Sequence, residues 1–67
     1  MEQVTVEYYG DALGIRLIGA VNVPRKRMNE DAVGIGKLLC KVQGMNSMDA
    51  VMVDESGDEI DRIVVYR

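Results

Sequence analysis

The sequence contains no histidine, tryptophan or phenylalanine, and only one cysteine and one proline. Without histidine there is no imidazole general base, no histidine-based triad and no imidazole metal ligand. A single cysteine excludes an internal disulfide and a multi-cysteine zinc site. Cys40 has no acidic neighbour to activate it and reads as a small buried apolar residue beside a helix stripe. The aromatic content is Tyr8, Tyr9 and Tyr66. That falls short of the aromatic-rich sheet that stacks nucleic-acid bases, so these rings read as core and hairpin packing. No run approaches the ~20 apolar residues of a membrane helix. The opening Met1-Glu2-Gln3 lacks the basic start and apolar run of a signal peptide. One free cysteine and no export signal point to a reducing cytoplasm.

What remains is an ordinary globular composition, 48% hydrophobic over 67 residues. The expectation is one domain, residues 1–67, with a small core; a chain this short buries only about 60% of its unfolded surface. There is no second domain to form a cleft. The net charge is −3, unevenly spread. Residues 1–15 carry three acids and no base, and residues 16–41 carry six bases and two acids. Residues 42–61 carry six acids and no base. Such a polarised chain can steer a charged partner.

Val4, Val6 and Tyr8 alternate with Thr5, Glu7 and Tyr9, the period of a half-buried strand. Gly10-Asp11 marks a turn. Leu13, Ile15, Leu17, Gly19, Val21 and Val23 share one parity of a second strand running to Pro24, bulged near Ile18-Gly19. A helix from Asp11 competes, but Gly14 and Gly19 would each cost about 1 kcal/mol there. Asn29 fits an N-cap, with Glu30 and Asp31 in the first turn. Met28, Ala32, Ile35, Leu39 and Val42 then form a helical stripe, Lys37 and Lys41 lie toward its C-terminal end, and Gly44 suits the residue past it. Gly34 and Gly36 weaken this helix and mark a close approach of its backbone to the sheet or to a partner. Asn46-Ser47 reads as a loop and Ala50 to Val53 as a strand. Asp54 to Asp58 reads as a turn around Gly57, and Ile60 to Tyr66 as the last strand. Ile60, Arg62, Val64 and Tyr66 fall on one face of it, and Asp61, Ile63 and Val65 on the other. The sum is an α+β fold, ββαββ: two hairpins in an antiparallel sheet with one helix on a face. Strands apolar on both faces suggest a cover for the second face, with a second copy as the candidate.

Gly34-Ile35-Gly36-Lys37 has the composition of a phosphate loop. It lacks the earlier glycine, the hydroxyl after the lysine and the preceding strand. Asp54, Glu55, Asp58, Glu59 and Asp61 form an acidic hairpin. Their spacing does not fit an EF-hand, and no cofactor or metal is expected. Carboxylates along a hairpin can instead imitate nucleic-acid phosphates and occupy a basic protein groove. Arg16, Arg25, Lys26, Arg27, Lys37 and Lys41 are the alternative, a basic patch for DNA or RNA. Met28, Met45, Met48 and Met52 suit an adaptable contact surface, but filling of the core is the simpler role.

The segment Met48-Asp49-Ala50-Val51-Met52-Val53-Asp54-Glu55, running on to Ile63-Val64-Val65, resembles the closing hairpin of the swapped-hairpin AbrB family. Val23-Pro24 before a helix is similar to that family's opening. The resemblance implies a small dimeric DNA-binding regulator.

The first functional expectation is a small non-enzymatic protein, a stoichiometric inhibitor or modulator that occupies a partner's basic groove with the acidic hairpin. Phages and mobile elements use compact acidic proteins in this way against host polymerases, nucleases or CRISPR complexes. The second is the AbrB-like regulator acting through the six basic residues. An enzyme ranks last, because no catalytic constellation is present.

Overall fold

The structure, a computed structural model, describes residues 2–10 and 15–67. It comprises β1 (Gln3–Tyr9), β2 (Leu17–Pro24), a short 3-10 turn (Arg25–Arg27), α1 (Met28–Gln43), β3 (Ser47–Val53) and β4 (Glu59–Tyr66). The strands form one antiparallel sheet in the order β2-β1-β3-β4, and α1 packs across one face. This is the expected ββαββ arrangement. Strand β1 lies inside the sheet, so the two hairpins join through β1 and β3.

The alternation of β1 sets the two faces. Val4, Val6 and Tyr8 point under the helix and are almost fully buried. Register places them beside Val23, Val21 and Gly19 of β2, and beside Ala50 and Met52 of β3. Met48 and Val65 complete that layer. Met48 and Met52 are buried, and Met28 and Met45 pack against them, so these four methionines fill the core.

Two bulges alter the expected strand faces. Between Tyr8 and Tyr9 the β2 partner jumps from Gly19 to Leu17, which leaves Ile18 unpaired. Ile18 turns toward the core and Leu17 is 55% exposed on the other face. The bulge thus falls where the sequence places it, but it breaks the expected parity of Leu17 with Val21. Of the expected start of this strand, Leu13 and Gly14 lie outside the described residues, as does Asp11 of the turn; Ile15 and Arg16 precede the strand. In β4 the partner of Val53 is Glu59, whereas that of Met52 is Asp61. Ile60 is the extra residue and packs on the core rather than sharing a face with Arg62.

The helix also departs from the expected stripe. Its buried line is Ala32, Gly36 and Cys40, flanked by Ile35 and Leu39, while Val42 is 77% exposed. The line of small residues lets the helix sit low. A Cβ on Gly36 would stand 2.8 and 2.9 Å from the two Val65 methyls and 3.1 Å from the Tyr8 ring. At that separation the buried Tyr8 hydroxyl donates to the Ala32 carbonyl over 2.8 Å. Gly34 has nothing within 4 Å of a Cβ position, so the close approach belongs to Gly36 alone. Asn29 is not the cap: the 3-10 turn after Pro24 starts the helix earlier, and Asn29 Nδ2 donates to Asp61 instead. Gly44 closes the helix at φ +68°, with the Met45 N–H donating to the Cys40 carbonyl over 2.8 Å. That is a Schellman ending, and Met45 packs back on the core as expected.

Candidate functional site

The acidic hairpin forms as the sequence indicates, but its five carboxylates divide into four groups. Asp54 builds the turn. Its Oδ1 accepts the Ser56 N–H at 2.9 Å and the Asp58 N–H at 3.0 Å, and Gly57 takes φ +88°. Glu59 is committed to Arg62, whose Nη2 donates to it over 3.0 Å. The bulge at Ile60 places Asp61 on the helix-covered side. There it accepts the Asn29 side chain at 2.9 Å and the Arg62 N–H at 2.8 Å. Those bonds, Asn29 first, hold the Asp61 carboxyl below its ordinary range. Asp61 therefore lies on the opposite face of β4 from Glu59, where it is engaged with Asn29. Glu55 and Asp58 remain exposed, with side chains that make no hydrogen bond or ion pair among the described residues.

The fold adds an acid that the sequence pattern does not point to. Glu2, Gln3, Thr5, Asn22 and Glu55 line a depression of about 490 Å³ at the hairpin end of the sheet. Glu2 arrives there because Arg25 N–H donates to its carbonyl, continuing the β1–β2 ladder. Thr5 Oγ1 donates to Asn22 Oδ1 over 2.9 Å and fixes the floor. Two carboxylates over amide and hydroxyl groups suit an ammonium or guanidinium group on a partner. Glu2 also holds Arg25 at 3.0 Å, an exposed pair in exchange with solvent.

The six basic residues do not form one group: Arg25, Lys26 and Arg27 are consecutive in the 3-10 turn, while Lys37 and Lys41 lie on α1. Arg16 precedes β2 and Arg25 follows it, so the two stand at opposite ends of that strand. Arg25 is paired with Glu2, and Arg27 with Glu30 and Asp31 at 3.5 and 3.6 Å. Lys37 Nζ donates to the Tyr66 carbonyl at 3.4 Å. Lys26 and Lys41 have no side-chain partner among the described residues. Gly34 to Lys37 lies inside α1, where the backbone N–H groups serve the helix rather than a phosphate. Cys40 is fully buried. Among the described residues no group of three or more acids or cysteines is disposed to hold a metal ion. Among them, too, no helix is long and apolar enough to cross a membrane.

The face of the sheet opposite α1 is uncovered in the single chain. Tyr9 donates to Glu7 over 2.9 Å, which raises the phenol's pKa. Arg62 reaches Asp49 at 3.8 Å as well as Glu59. Register places these residues around Val51, which is only 5% exposed on that face. Val64 and Tyr66 stay open toward the β4 edge. No family model, curated protein or solved structure matches the chain. The resemblance of the β3–β4 hairpin to the AbrB family therefore gains no support from relatives.

Proposed function

We propose that this chain is a non-enzymatic binding module that docks its acidic sheet end into a basic surface of a protein partner, as a stoichiometric inhibitor or modulator. The reading is carried by one observation: the turn leaves Glu55 and Asp58 unpaired, and the fold brings Glu2 to the same depression as Glu55. Anionic groups on a hydrogen-bonded turn and on the adjoining end of the sheet offer a basic groove the negative charge that phosphates offer it. Asp54 supports the site by bracing the turn, and Glu59 contributes to its field while paired to Arg62. The reading leaves Asp61 out of the surface because its carboxylate is engaged with Asn29. Of the basic residues, Arg25, Arg27 and Lys37 are engaged within the chain, which favours the acidic contact over the nucleic-acid reading.

The test is affinity capture from extract of the source organism, with and without nuclease, comparing the natural chain with an E55K/D58K variant. The reading expects a stoichiometric protein partner that survives nuclease, weakens as salt rises and is lost in the variant. Equal recovery by the variant would overturn the acidic contact. Nucleic acid recovered in place of protein would overturn the module reading.

A further inference from the structure

We infer that the outer edge of β4 pairs with β4 of a second copy of this chain, giving a two-fold dimer with one continuous sheet. Arg67 N–H donates to the Asn46 carbonyl. Alternation from that bond turns the N–H and C=O groups of Arg62, Val64 and Tyr66 away from β3. The Arg62 N–H is met by Asp61, and the Tyr66 carbonyl by Lys37 at a long 3.4 Å. Those of Val64, between them, have no partner among the described residues. Val64 is also 49% exposed and Tyr66 66% exposed. No proline blunts this edge. The other edge, β2, ends in Pro24 and carries the Ile18 bulge, two devices that discourage pairing, whereas the bulge of β4 at Ile60 lies before the stretch from Asp61 to Arg67.

The order of charges along β4 selects the partner. A two-fold axis through Val64 sets Asp61 opposite Arg67 of the second copy, and Arg67 opposite its Asp61. On the other face it sets each Arg62, which keeps its own Glu59 and Asp49, beside a Tyr66 ring, with the two Val64 side chains opposite one another. Centring the pair on Arg62 would oppose two guanidinium groups. The helix side agrees. Asn29 and Lys37 reach β4 at Asp61 and Tyr66, so Val33, between them on the same helical row, lies level with the axis; it is 37% exposed. Lys37 of each copy then approaches Asp61 of the other. Apolar groups thus lie at the centre on both faces, and opposite charges lie outside them.

Light scattering on the full chain across concentration tests this. The mass should rise from one chain to two. Val64→Lys should weaken association at least about tenfold, since it opposes like charges on the axis. Arg67→Asp, a change at an exposed residue past the end of β4, should weaken it as well, so the test does not hang on V64K folding. Oxidised V64C should give a covalent dimer, while A20C on the β2 edge should not. A mass of one chain throughout, a dimer indifferent to both V64K and R67D, or equal cross-linking through A20C would overturn the inference. The E55K/D58K variant should leave the dimer intact, which keeps this outcome separate from that of the partner-binding test.

Discussion

The same substitution two residues apart on α1 should have opposite effects. Gly36→Ala places a methyl 2.8 and 2.9 Å from the Val65 side chain and 3.1 Å from Tyr8. Val65 is 2% exposed and Tyr8 fully buried, and a β-branched side chain between sheet and helix has no free rotamer to yield into. Over-packing of this kind costs about 1–3 kcal/mol. Lifting the helix to relieve it also stretches the Tyr8–Ala32 hydrogen bond, worth about 1 kcal/mol. Alanine returns about 1 kcal/mol of helix propensity. The net is a loss of about 1–3 kcal/mol, or a fall of roughly 4–20 °C in Tm for a domain of this size. Gly34→Ala meets nothing within 4 Å, so only the propensity gain remains, about 1 kcal/mol of stabilisation. Urea unfolding followed by circular dichroism reads both, with the slope m expected to stay constant. A G36A variant as stable as the natural chain would refute the account of the close approach. So would a G34A variant that loses as much as G36A.

Four further outcomes follow from the same contacts and from the free side chain of Glu55. Burial, with the nearby Asp31 charge, pushes the Tyr8 phenol up to about 12 from 10.0. The unfolded chain ionises first, so stability is full below pH 10 and falls as pH rises toward 12; Tyr8→Phe should flatten that fall in urea midpoints taken across the range. The Asp61 carboxyl is held below 3.8, so its contribution is present above that pH and is lost as pH falls through the folded value. Asn29→Ala should shrink this acid loss, read as a smaller drop in midpoint between about pH 5 and 3. Asp54→Ala removes two bonds to backbone N–H groups and should cost about 1–2 kcal/mol. Glu55→Ala should stay within about 0.5 kcal/mol, since its side chain braces nothing; a larger loss would show Glu55 to be structural.

Element types were legible because period 2 and period 3.6 are written plainly in β1, β4 and α1. Residue-level faces were not, and the reasons are specific. The bulge at Ile18-Gly19 is legible because a glycine interrupts the strand there, but its effect on Leu17 is not; the Ile60 bulge leaves no compositional mark, so Ile60 looks like an ordinary member of its strand. Reading the helix by hydrophobicity selects Val42, whereas the buried line is Ala32, Gly36 and Cys40. Small residues win there because they shorten the distance to the sheet. Gly36 did signal a close approach, but nothing in the sequence says which glycine makes it. The acidic turn was visible as a cluster. Which of its carboxylates are free depends on the turn's own hydrogen bonds and on the Ile60 bulge, and the arrival of Glu2 depends on strand pairing between distant segments.

Cys40 is the sole thiol of the chain and is fully buried, its sulfur beneath α1 facing the Val65 carbonyl. A reagent or oxidant reaches it only while the helix is off the sheet. Its alkylation rate is therefore a clock for that opening, independent of the tyrosines and of any added label. In an oxidising burst the same geometry makes chemical damage a record of past excursions. A copy whose thiol is caught as a sulfinic acid carries added oxygens into a site built for a bare sulfur, and cannot close again. Oxidative loss of the thiol therefore scales with the fraction of time the helix is lifted as well as with the oxidant present.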